Sequence, residues 1–333
     1  MSGACDLVEV WRGDMVESRH AGHAVVMDAG GAVIAEWGAP DAPIYPRSSC
    51  KMLQALPLVE SGAAAGLDDA RLALACASHQ GARLHVDAVS AWLADIGRTE
   101  ADLRCGAQEP SDYAERDSLI LGAARPCQIH NNCSGKHTGF LTLARHLRAG
   151  PEYVEIDHPV QRAARAAFDE VTDLSLPGHA IDGCSAPNFP TTTRALARAM
   201  AAFAGAEGRS GARAQAMVRL TRAMRAHPDL VAGEGRACTE FMRATSGRAA
   251  VKTGAEGVFV AILPERGLGI ALKIADGATR AAEAAMAGLL IRAGVLDPAH
   301  PAALRRLGGP MRNWRGFEVG AVRLAPGFAD RPL

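Results

Sequence analysis

The two ends of this chain alternate apolar and polar residues as strands do, while its middle repeats every three to four as helices do. No other feature limits the fold as much. LVEVWRG at 7–13 reads as a strand, and VVMDAGGAVIAEWG at 25–38 as a hairpin, two apolar runs around an Asp-Ala-Gly-Gly turn. GVFVAILPERGLGIALKIA at 257–275 repeats the pattern around Pro264–Gly267, and AAVKTG at 249–254 predicts a short strand beside it. Between them the spacing predicts helices at 70–79, 84–97, 116–125, 135–147, 159–172 and 191–205, with a final helix from 278 to about 293. Strands that open and close a chain pair most simply in one antiparallel sheet with helices layered on it, an α+β fold. The expected unit is single and compact over 1–333, with a sheet lobe from about 1–45 and 248–333 and a helical lobe over about 46–247.

Composition excludes several partners. Hydrophobic residues make up 48% and charged residues 22%, and the formal net charge is zero. No basic run interleaved with aromatics marks a nucleic-acid surface, so no nucleic-acid partner is expected. No stretch reaches the roughly 18–20 apolar residues that span a bilayer, so no membrane partner is expected either. The N-terminus carries acids early and does not read as a signal peptide. Eight cysteines without such a signal read as thiols or metal ligands in the cytoplasm.

Lysine usage singles out the chemistry. Of 36 basic residues only four are lysines: Lys51, Lys136, Lys252 and Lys273. Arginine keeps its proton, whereas a buried lysine can lose it, so lysines retained in such a chain mark places where a neutral amine is needed. Ser48-Ser49-Cys50-Lys51 contains Ser-x-x-Lys at an expected helix start, which places Ser48 and Lys51 on one face. A desolvated lysine there could take a serine proton. Lys252-Thr253-Gly254, on a late strand, is the partner signature of Ser-x-x-Lys in penicillin-binding proteins and serine β-lactamases. Ser78, in CASHQG, is the candidate second catalytic serine. IHNNCSGKHTG at 129–139 and IDGCSAPNFP at 181–190 add Cys133, Lys136, His137, Asp182 and Cys184. Ligand chemistry alone proposes a zinc site from Cys133, Cys184 and His137, against the alternative of simply buried thiols.

YPRSSCKMLQALPLVESG, LACASHQG, HNNCSGKHTGFL, IDGCSAPNF and AVKTGAEGVF, in this order, resemble the Rhizobium etli-type L-asparaginases of the asparaginase II family over about residues 10–295. The resemblance implies a serine β-lactamase-like fold, a homodimer, and hydrolysis of L-asparagine to L-aspartate and ammonia. It implies two Ser-Lys tandems, Ser48 with Lys51 and Ser78 with Lys252. It also implies zinc near the active site on Cys133, Lys136 and Cys184, which moves His137 from metal ligand to a polar neighbour of the substrate. Arg47 then suits the substrate α-carboxylate and Asp182 its α-ammonium. Two rivals stay open: a β-lactamase- or esterase-like serine hydrolase on the same scaffold, and a non-catalytic zinc-holding amino-acid sensor.

Overall fold

The computed structural model describes residues 3–330 and 333. Strands β1 (Cys5–Arg12), β2 (Met15–Asp28), β3 (Val33–Trp37), β4 (Ala250–Thr253), β5 (Val258–Leu263), β6 (Leu268–Ile274), β7 (Pro310–Arg312) and β8 (Glu318–Leu324) form one antiparallel sheet. Their order is β7-β8-β1-β2-β6-β5-β4, with β3 beside β2. The expected α+β class is what the chain adopts, with sheet strands drawn from both ends and helices layered on them.

The 25–38 hairpin forms as the turn chemistry predicts. Ala24 pairs with Trp37 and Val26 with Ala35. The Asp28 carboxylate accepts the Gly30 and Ala32 N–H groups, both at 2.9 Å, and Gly31 supplies the positive φ of +92°. β2 starts earlier than the apolar run suggests, because its first half, Met15–His20, faces solvent on alternate residues while pairing with β1.

Every residue of β5 is buried, so both faces of the sheet are covered there. Helix Thr193–Ala204 packs on β2, β5 and β6, and helix Thr279–Arg292 packs on β1, β5, β6 and β8. Helices Asp69–Ala75, Ser134–His146, Pro159–Thr172 and Ala212–Ala226 build the body beside the sheet. Helices Ala212–Ala226 and Ala237–Ala244 are additions to the sequence reading. No helix among the described residues is long and apolar enough to cross a membrane.

Candidate active site

Pro46 leads into a 3-10 turn, Arg47–Cys50, that runs on into the short helix Lys51–Gln54. Ser49 Oγ donates to the Pro46 carbonyl at 2.7 Å and closes the turn. Arg47 takes a left-handed φ of +52°, which costs a non-glycine residue about 1–3 kcal/mol and persists only where the surroundings enforce it. Ser185 (+67°) and Glu256 (+60°), in loops near the same side chains, are held the same way.

Lys51 is buried, and its Nζ donates to Ser78 Oγ at 2.9 Å, to Cys133 Sγ at 3.1 Å and to the Ala77 carbonyl. The expected Ser48–Lys51 hydrogen bond is not made: Ser48 Oγ bonds to no described residue and faces the cavity half-buried. Three-residue spacing puts the two side chains near each other, but the destination of Lys51 is set by the chain packed over it. That chain carries Ser78. The sequence places Ser78 at the end of a 70–79 helix, yet the helix stops at Ala75. Ser78 lies in an extended segment clamped by Ser78 N–H to Val231 O (2.9 Å), His79 N–H to Asn132 O (3.1 Å) and Gln80 N–H to Ala232 O (3.0 Å).

Lys252 approaches from the other side, on edge strand β4. Fully buried, its Nζ lies 2.8 Å from Ser78 Oγ and 2.8 Å from the Thr253 carbonyl. Burial pushes its pKa down to about 7, and the Lys51 and Arg236 charges add to the effect. Ser78 is therefore held between two lysine amines, one of which readily stands neutral. Gly254 lets β4 come this close: a Cβ there would sit 2.6 Å from Pro46 O and 3.1 Å from Ser49 N.

Ser48, Ser78, Asn132, Thr253, Gly254 and Ala255 share a cavity of about 220 Å³. That is below the roughly 300–1,000 Å³ of sites for drug-sized ligands and suits a small substrate. Arg236 and Glu283 line it as well.

Behind Lys51 lies the sulfur cluster. Cys133, Lys136 and Cys184 are buried together, with Lys136 Nζ 3.1 Å from Cys184 Sγ. A hydrogen bond from Cys133, joined by the Lys136 ammonium, holds the Cys184 thiol well below its usual range. The same hydrogen bond and burial keep Cys133 protonated. Close packing of helix Ser134–His146 makes the cluster possible, since a Cβ on Gly135 would meet Leu74 O at 2.5 Å. His137 turns its Nδ1 to the Tyr153 hydroxyl at 2.9 Å and leaves Nε2 buried without a hydrogen-bond partner. Among the described residues no group of three or more His, Cys, Asp or Glu is placed to hold a metal. What converges instead is two sulfurs and one amine, which would have to give up their protons to hold a metal ion.

A family model described as L-asparaginase II matches residues 8–324. The chain belongs to the L-asparaginase II family. No curated protein matches it. Solved structures similar to this family member include a β-lactamase from Mycobacterium bovis. That one is 15% identical, with 82% of this chain and 94% of that chain covered and a TM-score of 0.45. Others are Mglu in its native form, at 14% identity, 84% and 66% coverage and a TM-score of 0.44, and a putative β-lactamase from Bacteroides dorei, at 14%, 76% and 84%, and 0.41.

The remaining expected residues of this L-asparaginase II family member are close by but differently engaged. Arg47 donates through Nε and a terminal nitrogen to one oxygen of Asp182, at 3.0 and 2.8 Å, and its other terminal nitrogen lies 3.9 Å from Glu256. Asn188 reaches the second Asp182 oxygen at 3.2 Å. The two residues expected to hold opposite ends of a substrate hold each other. Lys273, the fourth lysine, donates to the Glu256 carbonyl at 2.7 Å and supports the loop after β4. Asn132, Arg236 and Glu283 are not singled out by sequence, whereas Thr253 belongs to the Lys252-Thr253-Gly254 signature. Asn132 lies within the HNNCSGKHTGFL block and Arg236 in the glycine-punctuated GEGR segment, while Glu283 carries no local signal.

Proposed function

We propose that the protein hydrolyses L-asparagine to L-aspartate and ammonia by acyl transfer through Ser48. The observation that carries the reading is the hydrogen-bonded chain Lys51–Ser78–Lys252, which opens on the cavity that Ser48 lines. Ser78, fixed between two amines, suits a proton relay. Ser48 has an uncommitted hydroxyl at the cavity wall, as a nucleophile needs, and catalytic hydrogen bonds of this kind tighten when substrate arrives.

Ser48 Oγ attacks the side-chain amide carbon, and its proton passes into the Lys51–Ser78–Lys252 chain, with the Lys252 amine as final acceptor. Gly254 N–H is committed to the Val258 carbonyl at 2.7 Å and Ser49 N–H to the Pro46 carbonyl at 3.2 Å, so the oxyanion role is proposed for the backbone N–H groups of Ser48 and Ala255 at the cavity. Collapse breaks the C–N bond, and the relay returns the proton to the departing ammonia. Water then attacks the β-aspartyl ester and gives a proton to the same chain, which passes it to Ser48 Oγ as the ester C–O bond breaks and aspartate leaves. Zinc is proposed on Cys133, Lys136 and Cys184. When bound it supplies a positive field behind Lys51 and replaces the protons shared among those three groups. The same reading carries the expected homodimer and cytoplasmic location.

Ammonia release from L-asparagine tests the proposal, with Ser48→Ala and Ser78→Ala beside the wild type. Ser48→Ala is expected to lose turnover entirely and to form no acyl-enzyme. Ser78→Ala should acylate slowly, down about 10²–10⁴-fold as general acid–base variants are. A Ser48→Ala protein at wild-type rate would move the nucleophile to Ser78. Rapid nitrocefin turnover with no ammonia from asparagine would replace the substrate.

A further inference from the structure

The charged groups around the cavity differ in how far they are committed. Arg47 is held by Asp182, and Arg306 by Glu240 and Glu283. Arg236 lines the cavity half-buried; its backbone is hydrogen-bonded to Gly233 and Glu240, yet its guanidinium forms no hydrogen bond or ion pair with any described residue. Its charge nonetheless bears on Lys252 and on Glu283. Glu283, one turn after Thr279 on helix Thr279–Arg292, accepts from Arg306 Nε at 3.0 Å through Oε2 alone, and Oε1 has no partner among the described residues.

Arg236 and Glu283 do not close into an ion pair, and the reason lies underneath them. Buried Arg306 donates to the Gly235 carbonyl at 3.3 Å, to the Ala302 carbonyl at 3.2 Å and to the Glu283 carboxylate. One guanidinium thus ties down the residue before Arg236 and the side chain of Glu283. It fixes the cation and the anion as separate groups on one small cavity.

We propose that Arg236 and Glu283 are the specificity residues for an α-amino acid, Arg236 receiving the α-carboxylate in its planar fork and Glu283 Oε1 the α-ammonium. A zwitterion satisfies both at once and neutralises each. The proposal deepens the asparaginase reading and reassigns the two roles expected of Arg47 and Asp182. It rests on that reading for the reaction, while recognition of the amino-acid end is testable apart from it.

The test compares wild type, Arg236→Met and Glu283→Gln on three amides. These are L-asparagine, 3-aminopropanamide, which lacks the α-carboxylate, and succinamic acid, which lacks the α-amine. Calorimetric titration with L-aspartate runs alongside. Arg236→Met should raise KM for L-asparagine about tenfold or more with a smaller change in kcat, while leaving 3-aminopropanamide unaffected. Glu283→Gln should do the same, sparing succinamic acid. Equal losses on all three amides, or unchanged L-aspartate affinity in Arg236→Met, would overturn the assignment. If wild type releases no ammonia from L-asparagine but binds L-aspartate in an Arg236-dependent way, the reaction fails and the recognition site stands.

Discussion

In the proposed relay, Lys252 is the group whose titration governs turnover. Its amine is fully buried beside Ser78 and two other cations, and its pKa falls to about 7. A proton acceptor works only when unprotonated, so the sign follows directly. Below about pH 7 the amine is charged, and kcat should fall by a factor of ten per pH unit. Above it the rate should level off. A pH–rate profile for kcat checks this, and an acid limb placed near the usual lysine value would contradict it. Lys252→Arg keeps the charge but cannot release it, so kcat should drop by about 10²–10⁴ and the limb should vanish. Lys51 differs in kind, because its amine is already shared among Ser78, Cys133 and the Ala77 carbonyl.

Three short pieces of backbone meet at the site: the Arg47–Cys50 turn, the extended run through Ser78, and the end of β4. Their approach depends on Gly254, where any Cβ would press on Pro46 O and Ser49 N. Gly254→Ala should therefore push β4 away from the Ser48 turn. Overpacking of this kind costs about 1–3 kcal/mol, read as a lower denaturant midpoint with unchanged slope, and kcat should fall further than global stability explains. Unchanged stability and rate would mean that the strand does not set the geometry. The sequence shows some of these elements and hides others for physical reasons. β5 and β6 are legible because their runs are apolar, broken in β6 by Lys273, and are separated by the Pro264–Gly267 turn. Helix Ala212–Ala226 is obscured by its arginines, which dilute the apolar stripe of Met217, Leu220 and Met224. Strands β7 and β8 carry little apolar signal because most of their residues stay partly exposed. The identities of Ser48, Lys51, Ser78 and Lys252 are readable from motif. The expected Ser78–Lys252 contact is made, but the expected Ser48–Lys51 bond is not, because Lys51 is drawn to Ser78 on the segment packed over it.

At the scale of the whole molecule, the site closes long loops. Lys51 touches Cys133, Lys136 touches Cys184, and Ser78 touches Lys252, so residues from the first sixth of the chain and the last third share one cluster. Cys133 precedes helix Ser134–His146, while Cys184 lies in the bend between the short paired segments Ala180–Ile181 and Pro187–Asn188. A metal joining Cys133, Lys136 and Cys184 would bind only where all three are already assembled, hence in the folded state. Its effect on stability then follows mass action, about 2.7 kcal/mol when free metal stands at a hundredfold its dissociation constant. Zinc added to stripped protein should raise Tm and bind one ion per chain, and a chelator should reverse both. Cys184→Ser should abolish the response, whereas Lys252→Gln, on the far side of Ser78, should keep the stoichiometry. A Tm indifferent to zinc in the wild type would leave the cluster as a buried thiol–amine pair. In that case the Lys136 charge facing the Cys184 thiolate is what holds the loop to the helix, and Lys136→Met should destabilise the protein with or without metal.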